Sequence, residues 1–188
     1  MKNHVLKSLL GLALIAFTFS GCDLLDKADD VTFEEDFDVV FAVDEKGQSQ
    51  SPVTYAGTPV LLDLTTSPEV IKYADKIKTI EVTKIEYSIT DYASSGAAIT
   101  FSNGKVVYSA SATGTTSELS TVSTVNLATA GSGIFALPID QTKFTAFASL
   151  LLNEKKAYVT AQGTLSSTPV KFNVPAKVYV KITANALD

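Results

Sequence analysis

From Val170 to Ile182 the chain alternates without a break. Val170, Phe172, Val174, Ala176, Val178, Val180 and Ile182 hold one phase, and Lys171, Asn173, Lys177, Tyr179 and Lys181 hold the other. A period of two is the signature of a strand with one buried face, because successive side chains leave a pleated backbone on opposite sides. An α-helix would scatter the same residues around its whole circumference. The segment just before it repeats the pattern, with Val159, Ala161, Gly163 and Leu165 against Tyr158, Thr160, Gln162 and Thr164. Residues 166–169 read as a turn between the two runs. Pairing Leu165 with Val170 sets Gly163 opposite Phe172, Ala161 opposite Val174 and Val159 opposite Ala176. All buried positions then match, as a hairpin register requires. Phe172 would cover the bare Gly163. Pro175 donates nothing to a ladder, so it marks an edge or a bulge.

Other segments carry the same signal. Phe37, Val39, Phe41 and Val43 alternate with polar or small residues, and Val60, Leu62 and Leu64 share a face in residues 59–66. Residues 78–92 form a long strand whose phase slips near Thr83 and Lys84. Ile80 and Val82 precede the slip; Ile85, Tyr87 and Ile89 follow it. A slip would send the buried set into solvent, so a β-bulge belongs there. Asn103-Gly104, flanked by strand-forming residues, reads as a type I′ hairpin turn. Residues 109–124, rich in Ser, Thr, Ala and Gly, read as an edge strand or loop.

Two helices interrupt the strands. Ser67-Pro68-Glu69 has a capping hydroxyl, a proline suited to the first helical position and an acid at the positive end. Val70, Ile71, Ala74 and Ile77 would be its apolar stripe. Asp140 caps a second helix running to about Leu152, with Phe144, Phe147, Ala148 and Leu151 at helical spacing. Many strands and two short helices imply an all-β fold, an antiparallel β-sandwich that is immunoglobulin-like in the broad sense.

The start of the chain is of another kind. Lys2, His4 and Lys7 precede an apolar run over residues 9–19. That run is shorter than the roughly 20 residues needed to cross a bilayer, which fits a secretory signal. It ends in Phe19-Ser20-Gly21-Cys22. This ending resembles the lipobox of bacterial lipoproteins. The resemblance implies cleavage between Gly21 and Cys22 and a diacylglycerol on Cys22. Acids crowd the following stretch, among them Asp23, Asp26, Asp29, Asp30, Glu34, Glu35 and Asp36, against Lys27 alone as far as Glu45. Such a block is ordinarily solvated. It resembles the surface-export signal of Bacteroidota lipoproteins, and Asp23 alone resembles an inner-membrane retention signal. Residues 73–92, 103–109 and 147–172 also resemble small Bacteroidota surface lipoproteins in style. The implied organisation is a signal peptide at 1–21, an acidic tether at 22–36 and one sandwich domain at 37–188. The implied location is the cell envelope, lipid-anchored in the outer membrane and exposed at the surface.

Composition narrows the chemistry. The only cysteine is Cys22 and the only histidine is His4, which leaves with the signal; arginine and tryptophan are absent. Templates built on Ser-His-Asp, Cys-His or zinc then lack their residues, so no metal and no cofactor is expected. The formal net charge of −5 with no arginine argues against a nucleic-acid partner. Ser102-Asn103-Gly104-Lys105 spells S-x-x-K, but that motif needs a helix. Asp63, Glu81, Glu86, Asp91 and Asp140 leave a carboxylate-based glycoside hydrolase or other hydrolase as the alternative. A calcium site among the early acids lacks the spacing of a known loop. The leading expectation is a non-catalytic, membrane-anchored binding or structural module for a glycan or protein partner. Its candidate ligand face is Tyr158 and Lys177, directly opposed in the hairpin register, with Tyr179 diagonal to Tyr158.

Overall fold

The computed structural model describes residues 29–95, 98–131 and 133–186. The cleavage site Gly21–Cys22 and the lipobox lie outside the described residues. The strands are β1 (Asp30–Ser49), β2 (Val53–Ala56), β3 (Val60–Asp63), β4 (Ile77–Tyr87), β5 (Thr90–Ser94), β6 (Thr100–Ser109), β7 (Ser117–Val122), β8 (Val125–Asn126), β9 (Phe135–Ala136), β10 (Lys156–Leu165) and β11 (Thr168–Asn185). The helices are α1 (Pro68–Lys72) and α2 (Gln141–Glu154), with a single 3-10 turn at Leu64–Thr66.

All the pairings are antiparallel, and they form two sheets. The first sheet runs β1-β11-β4-β9, with β5 also on β11; the second runs β2-β10-β6-β7, with β3 on β10 and β8 on β6. Val39, Phe41, Val178 and Val180 of the first sheet meet Val106, Tyr108 and Val159 of the second in one core. The fold is therefore an antiparallel β-sandwich.

The expected hairpin does not form. β10 and β11 sit in different sheets, so the chain arches from one layer to the other. Leu165 pairs with Phe101 and Val53, and Val170 with Ser94 and Glu45. Leu165, Val170 and Phe172 still share a buried cluster, with Val43 and Tyr55. Alternation demands only that a face be buried. An arch meets that demand across the sandwich as well as a hairpin does within one sheet.

β1 also departs from expectation. It begins at Asp30, so the tether expected over 22–36 is strand for its last seven residues (30 to 36). Its acids find lysines on β11: Glu34 lies opposite Lys181, Asp38 opposite Lys177 and Asp44 opposite Lys171. The acid face of β1 is the complement of the lysine face of β11, while Phe37, Val39, Phe41 and Val43 go inward.

Asn103-Gly104 is not a hairpin turn. β6 runs straight through it, and the pair stands against the single residue Gly163. Asn103 takes a φ of 48°, the positive value that the dipeptide signals, but it spends it on a bulge. Gly163 is covered by Phe101, not by Phe172. The slip near Thr83 is a bulge, as expected, because Tyr179 pairs with Lys84 while Val180 pairs with Val82. Pro175 lies inside the central strand β11, at the break where its partner changes from β4 to β5. Its carbonyl accepts from Ser88 N at 3.0 Å, so its missing N–H falls on that interrupted side.

Both helices start where expected. Ser67 Oγ accepts from Val70 N, and Asp140 Oδ1 from Thr142 N and Lys143 N. α1 is shorter than its stripe suggested: Val70 is buried, Ile71 is exposed and Ile77 already belongs to β4. α2 buries Phe144, Phe147, Ala148 and Leu151. Between the sheets a cavity of about 70 Å³ remains, lined by apolar residues such as Phe41, Ile85, Val106, Ala176 and Val178. It is too small for an acyl chain or a sugar, since even benzene takes a cavity of about 150 Å³.

Candidate functional site

The arch separates the expected ligand residues. Tyr158 lies between Leu61 and Ser109 on the outer face of the second sheet. Lys177 and Tyr179 lie on the outer face of the first, where alternation puts them once Val178 and Val180 point into the core. Two layers of side chains separate Tyr158 from the other two, so the expected three-residue face is not assembled.

Around Lys177 and Tyr179 the neighbouring strands build a charged lattice instead. β1 brings Asp36 opposite Tyr179 and Asp38 opposite Lys177. On the other flank β4 brings Lys84 and Glu86, the bulge at Thr83 having set their register. Lys177 Nζ pairs with Asp36 Oδ2, and Asp38 Oδ1 lies 3.6 Å away. Tyr179 donates its hydroxyl to Glu86 Oε2 at 2.9 Å. Glu86 Oε1 is 3.0 Å from Lys84 Nζ, which stands 4.2 Å from the centre of the Tyr179 ring. The bulge is itself held to this strand by Thr83 Oγ1 donating to Tyr179 O at 3.3 Å.

The contacts shift three groups of this lattice. The Lys84 ammonium, with help from the Tyr179 hydroxyl, keeps the Glu86 carboxyl below its ordinary value. The hydrogen bond to Glu86 raises the Tyr179 phenol, and burial and the Glu86 charge add to it. Asp36 raises Lys177 in the same way, mainly through its hydrogen bond. A general acid or base needs a pKa near the working pH. For Glu86, Tyr179 and Lys177 the shifts run away from neutral pH, so each keeps its ordinary charge there. The Tyr179 ring already carries a cation near its face, so a sugar stacking there must displace Lys84.

Three of the scattered acids accept hydrogen bonds, and the fourth lies opposite a lysine in register. Asp63 Oδ1 accepts from Thr65 N at 2.9 Å and closes the 3-10 turn. Asp140 caps α2. Asp91, at a φ of 56°, accepts from Asn173 Nδ2 at 2.8 Å. Glu81 faces Lys181. Ser102 and Lys105 lie on strand β6, with no helix to make S-x-x-K a catalytic motif. Among the described residues no group of three or more His, Cys, Asp or Glu is placed to hold a metal ion. Sequence reasoning missed the lattice because Asp36, Lys84 and Glu86 enter it through strand pairings that alternation cannot choose.

No protein-family model and no curated protein matches the chain. Solved structures similar to it in outline include two viral proteins. One is a decameric BFDV capsid protein, at 8% identity and a TM-score of 0.39, with 81% of this chain and 98% of that chain covered. The other is from Desmodium yellow mottle tymovirus, at 8% identity and a TM-score of 0.31, with 84% of this chain and 91% of that chain covered. Likeness this loose carries no argument about function.

Proposed function

We propose that the protein is a lipoprotein of the cell envelope, held in the outer membrane and displayed at the surface by diacylglycerol on Cys22. Its sandwich serves as a binding or structural module for a glycan or protein partner and is not an enzyme. The observation that carries this reading is the apolar run over residues 9–19 ending in Phe19-Ser20-Gly21-Cys22, with Cys22 the sole cysteine. Each buried methylene contributes about 0.8 kcal/mol, so two acyl chains anchor a protein durably. The lattice around Lys177 and Tyr179 supports the second half, because its charges are paired and laid out on an outer sheet face. The hydrolase alternative gains no support, since Asp63 and Asp140 serve as caps and Asp91 accepts from Asn173. The test is metabolic labelling with radioactive palmitate. Wild type should incorporate label and Cys22→Ala should not, and should also keep its signal peptide. Equal labelling of the two would sink the lipoprotein reading.

A further inference from the structure

The early start of β1 brings the domain close to its anchor. From Cys22 to Asp30, the first strand residue, there are eight residue steps, where a tether ending at residue 36 would leave fifteen. Eight residues span at most about 28 Å fully extended. A flexible chain of that length averages roughly 14–17 Å end to end. β1 itself has 20 residues and so runs on the order of 65 Å. The end of the sandwich where β1 begins is therefore held within reach of the bilayer, and the end where β1 finishes is not.

Other elements converge on that near end. Asp30 pairs with Asn185, and Ala186 N donates to Asp29 O at 2.6 Å. Asn185 N donates to Lys76 O at 2.9 Å, and Lys78 Nζ is 2.6 Å from Asp30 Oδ1. The Phe33 and Tyr73 rings pack with centroids 5.7 Å apart, which ties α1 and the turn after it to the first residues of β1. At this end Ile71 stands 60% exposed while its neighbour Val70 is fully buried. Lys72 Nζ lies 4.8 Å from the centre of the Tyr73 ring and 3.6 Å from Glu69 Oε2. An exposed aliphatic side chain beside a tyrosine and lysines is the mixture that settles at a membrane–water boundary. The charges are of both signs, with Lys72, Lys76 and Lys78 among Asp29, Asp30, Glu69 and Asp75. Zwitterionic headgroups offer a phosphate to the lysines and an ammonium to the acids.

We propose that α1, the turn over residues 73–76 and the chain start at Asp29 form a bilayer-docking end, seated on the headgroup layer with Ile71 pressed into it. The proposal rests on the lipid anchor at Cys22. It leaves the opposite end of β1, around Gly47, pointing away from the membrane.

The protein makes the test clean, because Cys22 is its only cysteine and acylation occupies the sulfur. Acylated Ile71→Cys and Gly47→Cys proteins, each carrying a thiol-reactive fluorophore, are reconstituted into phosphatidylcholine–phosphatidylethanolamine vesicles. A fraction of the lipid bears a headgroup nitroxide. The expected result is loss of emission at position 71 and none at position 47. Equal loss at both positions, no loss at either, or loss at 47 alone overturns the docking end. Failure of the anchor reading shows separately: wild type would then react with the fluorophore at Cys22 and would not float with vesicles.

Discussion

At the scale of single residues, the bulge opposite Gly163 shows how much one missing Cβ decides. Phe101 lies over Gly163, and a Cβ on Gly104 would meet Phe101 Cε1 at 2.7 Å and Val122 Cβ at 2.8 Å. Gly104→Val should therefore destabilise by about 1–3 kcal/mol through overpacking, read from chemical denaturation. An unchanged midpoint would mean that Phe101 can step aside. The Tyr179–Glu86 hydrogen bond yields a pH signature. The folded Glu86 pKa is lowered, so its stabilisation is present above the unfolded value and is lost as pH falls through the folded one. The folded Tyr179 pKa is raised, so its stabilisation is present below the unfolded value and is lost as pH rises through the folded one. Tyr179→Phe should melt below wild type near neutrality, and the gap should close at both acid and alkaline extremes. A gap constant across pH would show that the hydrogen bond contributes nothing.

At the scale of elements, β1 and α2 make opposite demands on the sequence. β1 is an edge strand, and its outward Asp36 and Asp38 meet Lys177 of β11. Edge strands bearing charge resist pairing with other chains. Deleting residues 30–36 separates tether from strand: it should lower the melting temperature by several degrees, since the Phe33 ring no longer packs against the core. An unaltered melting curve would restore the tether. α2 takes its place through its apolar stripe. Phe147 is fully buried and its ring lies 4.9 Å from that of Tyr108, so Phe147→Ala should cost about 3–5 kcal/mol. Asp140→Ala, which removes only the cap, should cost about 1 kcal/mol. Denaturation followed by circular dichroism distinguishes the two, and equal losses would mean the stripe does not anchor the helix.

At the scale of the molecule, the two sheets close over a core that is not completely filled. The cavity of about 70 Å³ has Ala176 on its wall. Ala176→Val should stabilise by roughly 0.5–1 kcal/mol, raising the melting temperature by about 2–4 °C. A fall would show the space to be already taken up by its neighbours. The sandwich also presents two unlike outer faces. The first sheet carries the charged lattice, while the second carries Tyr158 beside the exposed Leu61. A partner that reads Lys177 and Tyr179 cannot touch Tyr158 at the same time.

What the sequence determined by itself was local. Period-two alternation assigned β10 and β11, the phase slip placed the bulge at Thr83, and Ser67 and Asp140 marked the helix starts. Asn103-Gly104 correctly signalled a positive φ. Each of these depends on a few neighbouring residues whose backbone and side-chain chemistry suffices. The partners of each strand were decided by the tertiary structure. A buried face is equally satisfied by a hairpin or by an arch, and a run of acids is equally at home in solvent or beside lysines. Only the closure of two sheets around one core chose the arch between β10 and β11. The same closure drew residues 30–36 into β1, gave Gly163 to Phe101 and gathered Asp36, Lys84, Glu86, Lys177 and Tyr179 on one face. Those residues are far apart in sequence, and nothing in their local pattern carries the ladder hydrogen bonds that bring them together.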